Sequence, residues 1–107
     1  MINVLVTRGR QGDILALKVY SHGESIVCAA VSALVLNAVN SIEALTDEAF
    51  TCGYVEEGGF LEIRFLNAEA GVLGHDARLL VSSLMLGLES VSAEYPDSIT
   101  IDDNHFQ

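Results

Sequence analysis

The sequence predicts an α+β fold in which two helices cover one face of a mainly antiparallel sheet, in the order β-β-α-β-β-α-β. Three observations carry this. Two β-rich pairs of segments are each split by a glycine turn. Each pair is followed by an apolar run at three- and four-residue spacing. A charge-alternating segment, Phe60-Leu-Glu-Ile-Arg-Phe-Leu66, places Glu62 and Arg64 on one face, as a sheet with one side open to water requires. With 107 residues, half of them hydrophobic, the chain fits one domain over 1–107 with a genuine core.

Residues 2–7, Ile-Asn-Val-Leu-Val-Thr, are rich in β-branched side chains and read as the first strand. Arg8-Gly-Arg-Gln-Gly-Asp13 is a turn with two glycines available for positive φ, and residues 14–20 form the returning strand of a hairpin. From Ser25 or Ile26 the period changes. Val31, Leu34, Val35, Ala38, Val39, Ile42 and Leu45 form the apolar stripe of a helix that Thr46-Asp-Glu48 ends. A helix this apolar is buried on most sides, in its own core or partly in a dimer interface.

Residues 49–55 and 60–66 form a second hairpin around the turn Glu56-Glu-Gly-Gly59. After a loop over 68–75, Asp76 caps a second helix running to about Glu94, with a stripe of Leu80, Val81, Leu84, Met85, Leu88 and Val91. Tyr95-Pro96-Asp97 stops it, since proline cannot continue the hydrogen bonding. Ser98–Ile101 reads as a short last strand, and the acidic tail after Asp102 as loose.

The charge is −10, from 15 acidic and five basic residues. That argues against direct nucleic-acid binding, which needs a basic face, and suits a basic protein or peptide partner. Asn37, Asn40 and Glu43 interrupt the longest apolar run, so no membrane span is expected. The N-terminus lacks the features of a signal peptide, which places the protein in the cytoplasm. Cys28 and Cys52 then read as free thiols rather than a disulfide. With His22, His75 and His105 scattered, no metal site and no cofactor are expected.

The chemistry concentrates in Tyr20-Ser-His-Gly-Glu-Ser-Ile-Val-Cys-Ala-Ala-Val-Ser-Ala-Leu34. Ser25 as N-cap puts Cys28 in the first helical turn, where unpaired N–H groups and the helix dipole favour a thiolate. The alternative is a Ser21-His-Gly-Glu24 capping box, which carries Cys28 deeper. His22, six residues upstream, serves as base only from a loop folded over the helix entrance. Cys28 would then attack a peptide carbonyl, with Ser32 one turn later able to hydrogen-bond within the site. The competing readings are a buried structural thiol at Cys28 and a helix serine bonded to a carbonyl at Ser32. Cys52 reads as structural, and His75 and His105 as solvated surface residues.

Ser-Ile-Val-Cys-Ala-Ala-Val-Ser-Ala-Leu34 resembles the signature Asp-Ile-Val-Cys-Ala-Ala-Val-Ser of the bacterial ribosomal-processing cysteine protease family, Prp. Asn37–Leu45, Glu57-Gly-Gly-Phe-Leu61, Leu86-Gly-Leu-Glu-Ser90 and Glu94–Ile99 extend the resemblance over nearly the whole chain. It implies a small α+β homodimer, an endopeptidase that removes the N-terminal extension of the precursor of ribosomal protein L twenty-seven by cutting after an aromatic pair. It implies Cys28 as nucleophile, Ser32 as the motif serine and Gly23 as the glycine before the motif. The sequence departs at Ser25, where the family has Asp. It departs again upstream, where the family's Gly-His-Ala and a longer glycine-containing loop are replaced by Lys18-Val-Tyr-Ser-His-Gly23. His22 is therefore the catalytic histidine on a shortened loop, or a second loop histidine, or the neighbour of a segment missing from this sequence. A non-catalytic dimeric adaptor for a basic ribosomal protein segment is the alternative function.

Overall fold

The computed structural model describes residues 1–20, 23–55, 60–68 and 73–106. The elements are β1 (Ile2–Arg8), β2 (Ile14–Tyr20), α1 (Ser25–Leu45), β3 (Phe50–Val55), β4 (Phe60–Phe65), α2 (His75–Glu94) and β5 (Ile99–Phe106). They form one five-stranded sheet in the order β3-β4-β2-β1-β5. Three of its four strand pairings are antiparallel, and β5 alone runs parallel to β1.

Alternation along the strands sorts the two faces. Val4, Val19 and Leu61 lie side by side, as do Val6 and Leu17 with Ile63, and all are buried under the helices. The intervening row Leu5, Lys18, Glu62 lies on the other face, where Lys18 and Arg64 both approach Glu62 at 3.8 Å. Both helices close the same core. From α1 come Val27, Val31, Val35, Ala38, Val39 and Ile42, and from α2 Ala77, Val81, Leu84, Met85 and Leu88. The helices approach closely at Gly87, where an added Cβ would stand 2.8 Å from Leu34 Cδ2.

In the first turn Gly12 takes a positive φ, of 90°, which the turn's glycines made available. Several expectations are corrected. Leu45, expected in the apolar stripe, is 70% exposed; the buried stripe ends at Ile42. Gly74, not Asp76, holds the cap position of α2; its side chain offers no acceptor, and Asp76 sits inside the first turn. The last strand runs on to Phe106 where a loose tail was expected. Its parallel register with β1 survives an irregularity after Leu5, and a two-point contact from Arg8 to Asp103, 2.7 and 2.9 Å, anchors it. Finally, α1 is long and apolar enough to cross a membrane by length and composition, contrary to the sequence reading. Here its buried face instead packs on the sheet. The turn at 56–59 lies outside the described residues.

Candidate active site

The thiol of Cys28 sits where the sheet, the loop after β2 and α1 meet. Gly23 brings them together. An added Cβ there would stand 3.0 Å from Ile2 Cγ1, 3.2 Å from Ile2 Cδ1 and 3.4 Å from the Ser98 carbonyl oxygen. A side chain here would need Ile2 to give by a few tenths of an ångström, so glycine eases the close pass by the start of β1. So placed, the Gly23 N–H donates to Cys28 Sγ at 3.3 Å, and the Cys28 S–H is 3.6 Å from the Gly23 carbonyl oxygen. Cys28 itself is half-buried and packs against the core.

The helix entrance differs from the sequence expectation by one residue. Glu24, not Ser25, is the N-cap, with extended backbone at φ −61° and ψ 141°. Its carboxylate accepts from the N–H of Ile26 at 3.2 Å and of Val27 at 3.4 Å. Its carbonyl accepts the Cys28 N–H at 2.9 Å, the first bond of the helix. Glutamate wins the cap because its longer arm reaches two orphan donors from one position further out. Cys28 is therefore the fourth helical residue, and the amides of residues 26 to 28 already have acceptors. Gly23 supplies the donor aimed at the sulfur.

Ser32 lies one turn beyond Cys28 on the same stripe and is exposed. Ser25 is exposed in the first turn. His22 lies outside the described residues. His75, at the start of α2, is exposed and 3.2 Å from Asp76. His105 belongs to β5, and its side chain is outside the description.

Sequence reasoning missed two features of this region. Glu24 was visible as the fourth residue of a capping-box pattern, but not as the cap itself. The second is a pocket of about 150 Å³ beside Ser32, lined also by Val19, Val31, Val35, Leu36, Tyr54 and Leu61. It opens between α1 and the edge of the sheet at β4 and β3, and residues so far apart in sequence gave no local signal. Cys52, expected to be structural, is an exposed thiol opposite Ile63 on the edge strand.

Fold and site together define a small α+β protein with a free thiol held in the first turn of its core helix. Residues 1–100 match the family Peptidase_Prp, cysteine protease Prp, and the chain belongs to that family. It is 26% identical over 110 aligned positions to the ribosomal processing cysteine protease Prp of Bacillus subtilis, covering 97% of this chain and 98% of that one. Two solved structures of the ribosomal processing protease Prp from S. aureus superpose with a TM-score of 0.85 over the full length of both chains. One holds a covalently linked product peptide, at 27% identity, and the other a substrate peptide, at 26%. The chain is thus a cysteine protease of the ribosomal-processing type, and the adaptor alternative gives way to it.

Proposed function

We propose that this protease removes the N-terminal extension of the precursor of ribosomal protein L twenty-seven, with Cys28 as nucleophile and His22 as its base. The Gly23–Cys28 contact carries the reading: a thiol held at a helix entrance beside a fixed backbone N–H is poised for acyl transfer.

His22 takes the Cys28 proton as sulfur attacks the scissile carbonyl carbon, forming the C–S bond and a tetrahedral oxyanion. The Gly23 N–H, aimed at the sulfur, is a backbone donor close to that charge, while Glu24 accepts from those of Ile26, Val27 and Cys28. Collapse breaks the C–N bond, and His22 returns its proton to the leaving amine. Water activated by His22 then cleaves the thioester, restoring the thiol and releasing a carboxylic acid. Ser32 orients the bound chain one turn further along α1, and Ser25 borders it at the first turn.

This reading takes the loop before Cys28 as shortened, with His22 the histidine nearest the thiol in sequence. The Bacillus subtilis alignment spans more positions than this chain has residues, so the relative carries positions without a counterpart here. The outer face of α1, with Ile26 65% and Leu36 46% exposed and Ala29 and Ala33 between them, supports a homodimer. A charge of −10 supports a basic substrate and no direct contact with nucleic acid. The single domain works in the cytoplasm, where ribosomes assemble, apart from any membrane.

The test is a cleavage assay on the precursor, comparing the unaltered protein with Cys28→Ala and His22→Ala and reading product masses. One trimmed product, lost in both variants, supports the assignment. Cleavage that survives Cys28→Ala removes it, and cleavage that survives His22→Ala moves the base elsewhere.

A further inference from the structure

Gly23 stands against the sheet by contact rather than by hydrogen bonding. Among the described residues its hydrogen bonds run to Cys28 alone, from its own N–H to Sγ at 3.3 Å and from the thiol to its carbonyl oxygen at 3.6 Å. Beside it lies the side chain of Ile2. In the direction a Cβ would leave Gly23, the two nearest atoms are Ile2 Cγ1 and Cδ1, and the third is the Ser98 carbonyl oxygen.

Ile2 has little freedom to shift. It is 2% exposed and among the largest fully buried side chains. Its N–H donates to the Ser98 carbonyl at 2.9 Å, and its Cα pairs with Ile99 in the parallel register of β1 and β5. Branching at Cβ restricts its χ1, and a close-packed interior resists rearrangement. The Cα of Gly23 carries both the direction that meets Ile2 and the N–H that meets the sulfur. Any change in where Gly23 comes to rest on Ile2 therefore turns that N–H relative to Sγ. Burial alone does not single out Ile2. Val4, two residues along β1 on the same face, is 1% exposed, yet none of its atoms is among the three nearest to Gly23.

We infer that Ile2 is a positioning residue for the cleavage reaction: its Cγ1 and Cδ1 set how closely Gly23 approaches the sheet, and so aim the Gly23 N–H at the Cys28 sulfur. Ile2 touches no reacting atom and acts through Gly23. The inference rests on Cys28 as the nucleophile, with the Gly23 N–H as a donor close to the oxyanion. Because Ile2 lies in the core beneath the loop, its loss slows the chemical step and leaves substrate affinity in place.

The test compares Ile2→Ala, Ile2→Leu, Ile2→Val and Val4→Ala in the full chain, at a temperature where urea unfolding shows each to be folded. Cleavage of the precursor of ribosomal protein L twenty-seven gives kcat and KM separately. In Ile2→Ala kcat falls about tenfold while KM stays within about twofold, the mark of an interaction made in the transition state. Ile2→Val keeps the branch at Cβ and recovers kcat to within about threefold. Ile2→Leu keeps the volume but moves the branch away from Cβ, and kcat falls about threefold or more; this variant carries the test where Ile2→Ala does not fold. Val4→Ala, a core truncation out of reach of Gly23, keeps kcat within about twofold. The amide resonance of Gly23 in nitrogen-15-labelled protein reports the contact directly. It moves in Cys28→Ala, which removes the sulfur, and in Ile2→Ala, and stays in place in Val4→Ala.

Equal losses of kcat in Ile2→Ala and Val4→Ala make Ile2 an ordinary core residue and overturn the inference. So does a rise in KM at unchanged kcat, and so does a Gly23 amide that stays in place in Ile2→Ala. Cleavage that survives Cys28→Ala overturns the nucleophile and the inference with it. Cleavage lost in Cys28→Ala, beside unchanged kcat in Ile2→Ala and Ile2→Leu, overturns the positioning role alone. If the unaltered protein leaves this precursor uncut, the amide decides: movement in Ile2→Ala without movement in Val4→Ala supports the positioning, and no movement overturns it.

Discussion

The backbone of Gly23 brackets the sulfur of Cys28, with its N–H 3.3 Å from Sγ and its carbonyl oxygen 3.6 Å away. The two are five positions apart in sequence, and the contact depends on Gly23 lying against Ile2 and Ser98. In Gly23→Ala the new methyl group meets Ile2 Cγ1 at 3.0 Å, and Ile2 is fixed in the core at 2% exposure. The loop has to move outward and carry the N–H away from the sulfur. Stability falls by about 1–2 kcal/mol, within the range for overpacking. Cleavage falls by about tenfold or more, since small displacements of positioned groups are costly. Urea unfolding and precursor cleavage measure the two effects, and unchanged cleavage removes Gly23 from the site.

Glu24 caps α1 by an exposed side chain whose two hydrogen bonds are long, 3.2 and 3.4 Å. Glu24→Ala leaves the N–H groups of Ile26 and Val27 to water and costs about 1 kcal/mol. Glu24→Asp keeps a carboxylate on a side chain preferred at this position, and retains stability within about 0.5 kcal/mol of the unaltered protein. Equal urea midpoints for all three proteins would show that the cap contributes nothing.

Local chemistry made most of the fold legible. The hairpins follow from β-branched runs around glycine turns, and α1 from its three- and four-residue spacing, which ends at Leu45 as expected. The sequence puts Cys28 third in the helix among unpaired N–H groups; it lies fourth, with its own N–H bonded to the Glu24 carbonyl. What escaped depends on partners distant in sequence. The C-terminal half of β5 exists because β1 lies beside it and Arg8 grips Asp103, and neither fact is written in residues 102–106. Cys52 reads as structural from its place mid-strand, yet it is an exposed thiol on β3, an edge strand. The choice of Glu24 over Ser25 as cap turns on one side chain's reach, finer than periodicity can read. The pocket at Tyr54 draws on β2, α1, β3 and β4 together.

Arg8 and Asp103 close the far end of the β1–β5 pair with a two-point contact, while Arg8 also donates to the Gly12 carbonyl at 2.8 Å. The hydrogen bond to Asp103 is the main reason that the Arg8 pKa is raised. Both side chains are about 30% exposed, so water and salt screen the pair. Asp103→Asn therefore costs about 1 kcal/mol or less. The loss concentrates in β5, as faster amide exchange over residues 102–106 than over 99–101. A uniform change along the strand would mean that Arg8 does not anchor its end.

Cys52 offers a pH-dependent contrast. Although Cys52 is exposed, partial desolvation by the surrounding protein pushes its thiol pKa up, since losing water opposes the thiolate. The folded protein thus holds this proton more tightly than the unfolded chain. Its contribution to stability is fully present below the unfolded thiol pKa and is lost as pH rises through the higher folded one. Between about pH 8 and 9 Cys52 should alkylate more slowly than a free cysteine, and the difference should narrow as pH rises further. Because only the thiolate reacts, the pH profile of Cys52 carbamidomethylation in Cys28→Ala protein, followed by mass spectrometry, reads the shift directly. A midpoint at or below that of an unfolded cysteine peptide would contradict it. In the same measurements Cys52→Ser should flatten the alkaline limb of the stability curve without altering precursor cleavage, because nothing in the proposed mechanism uses this thiol.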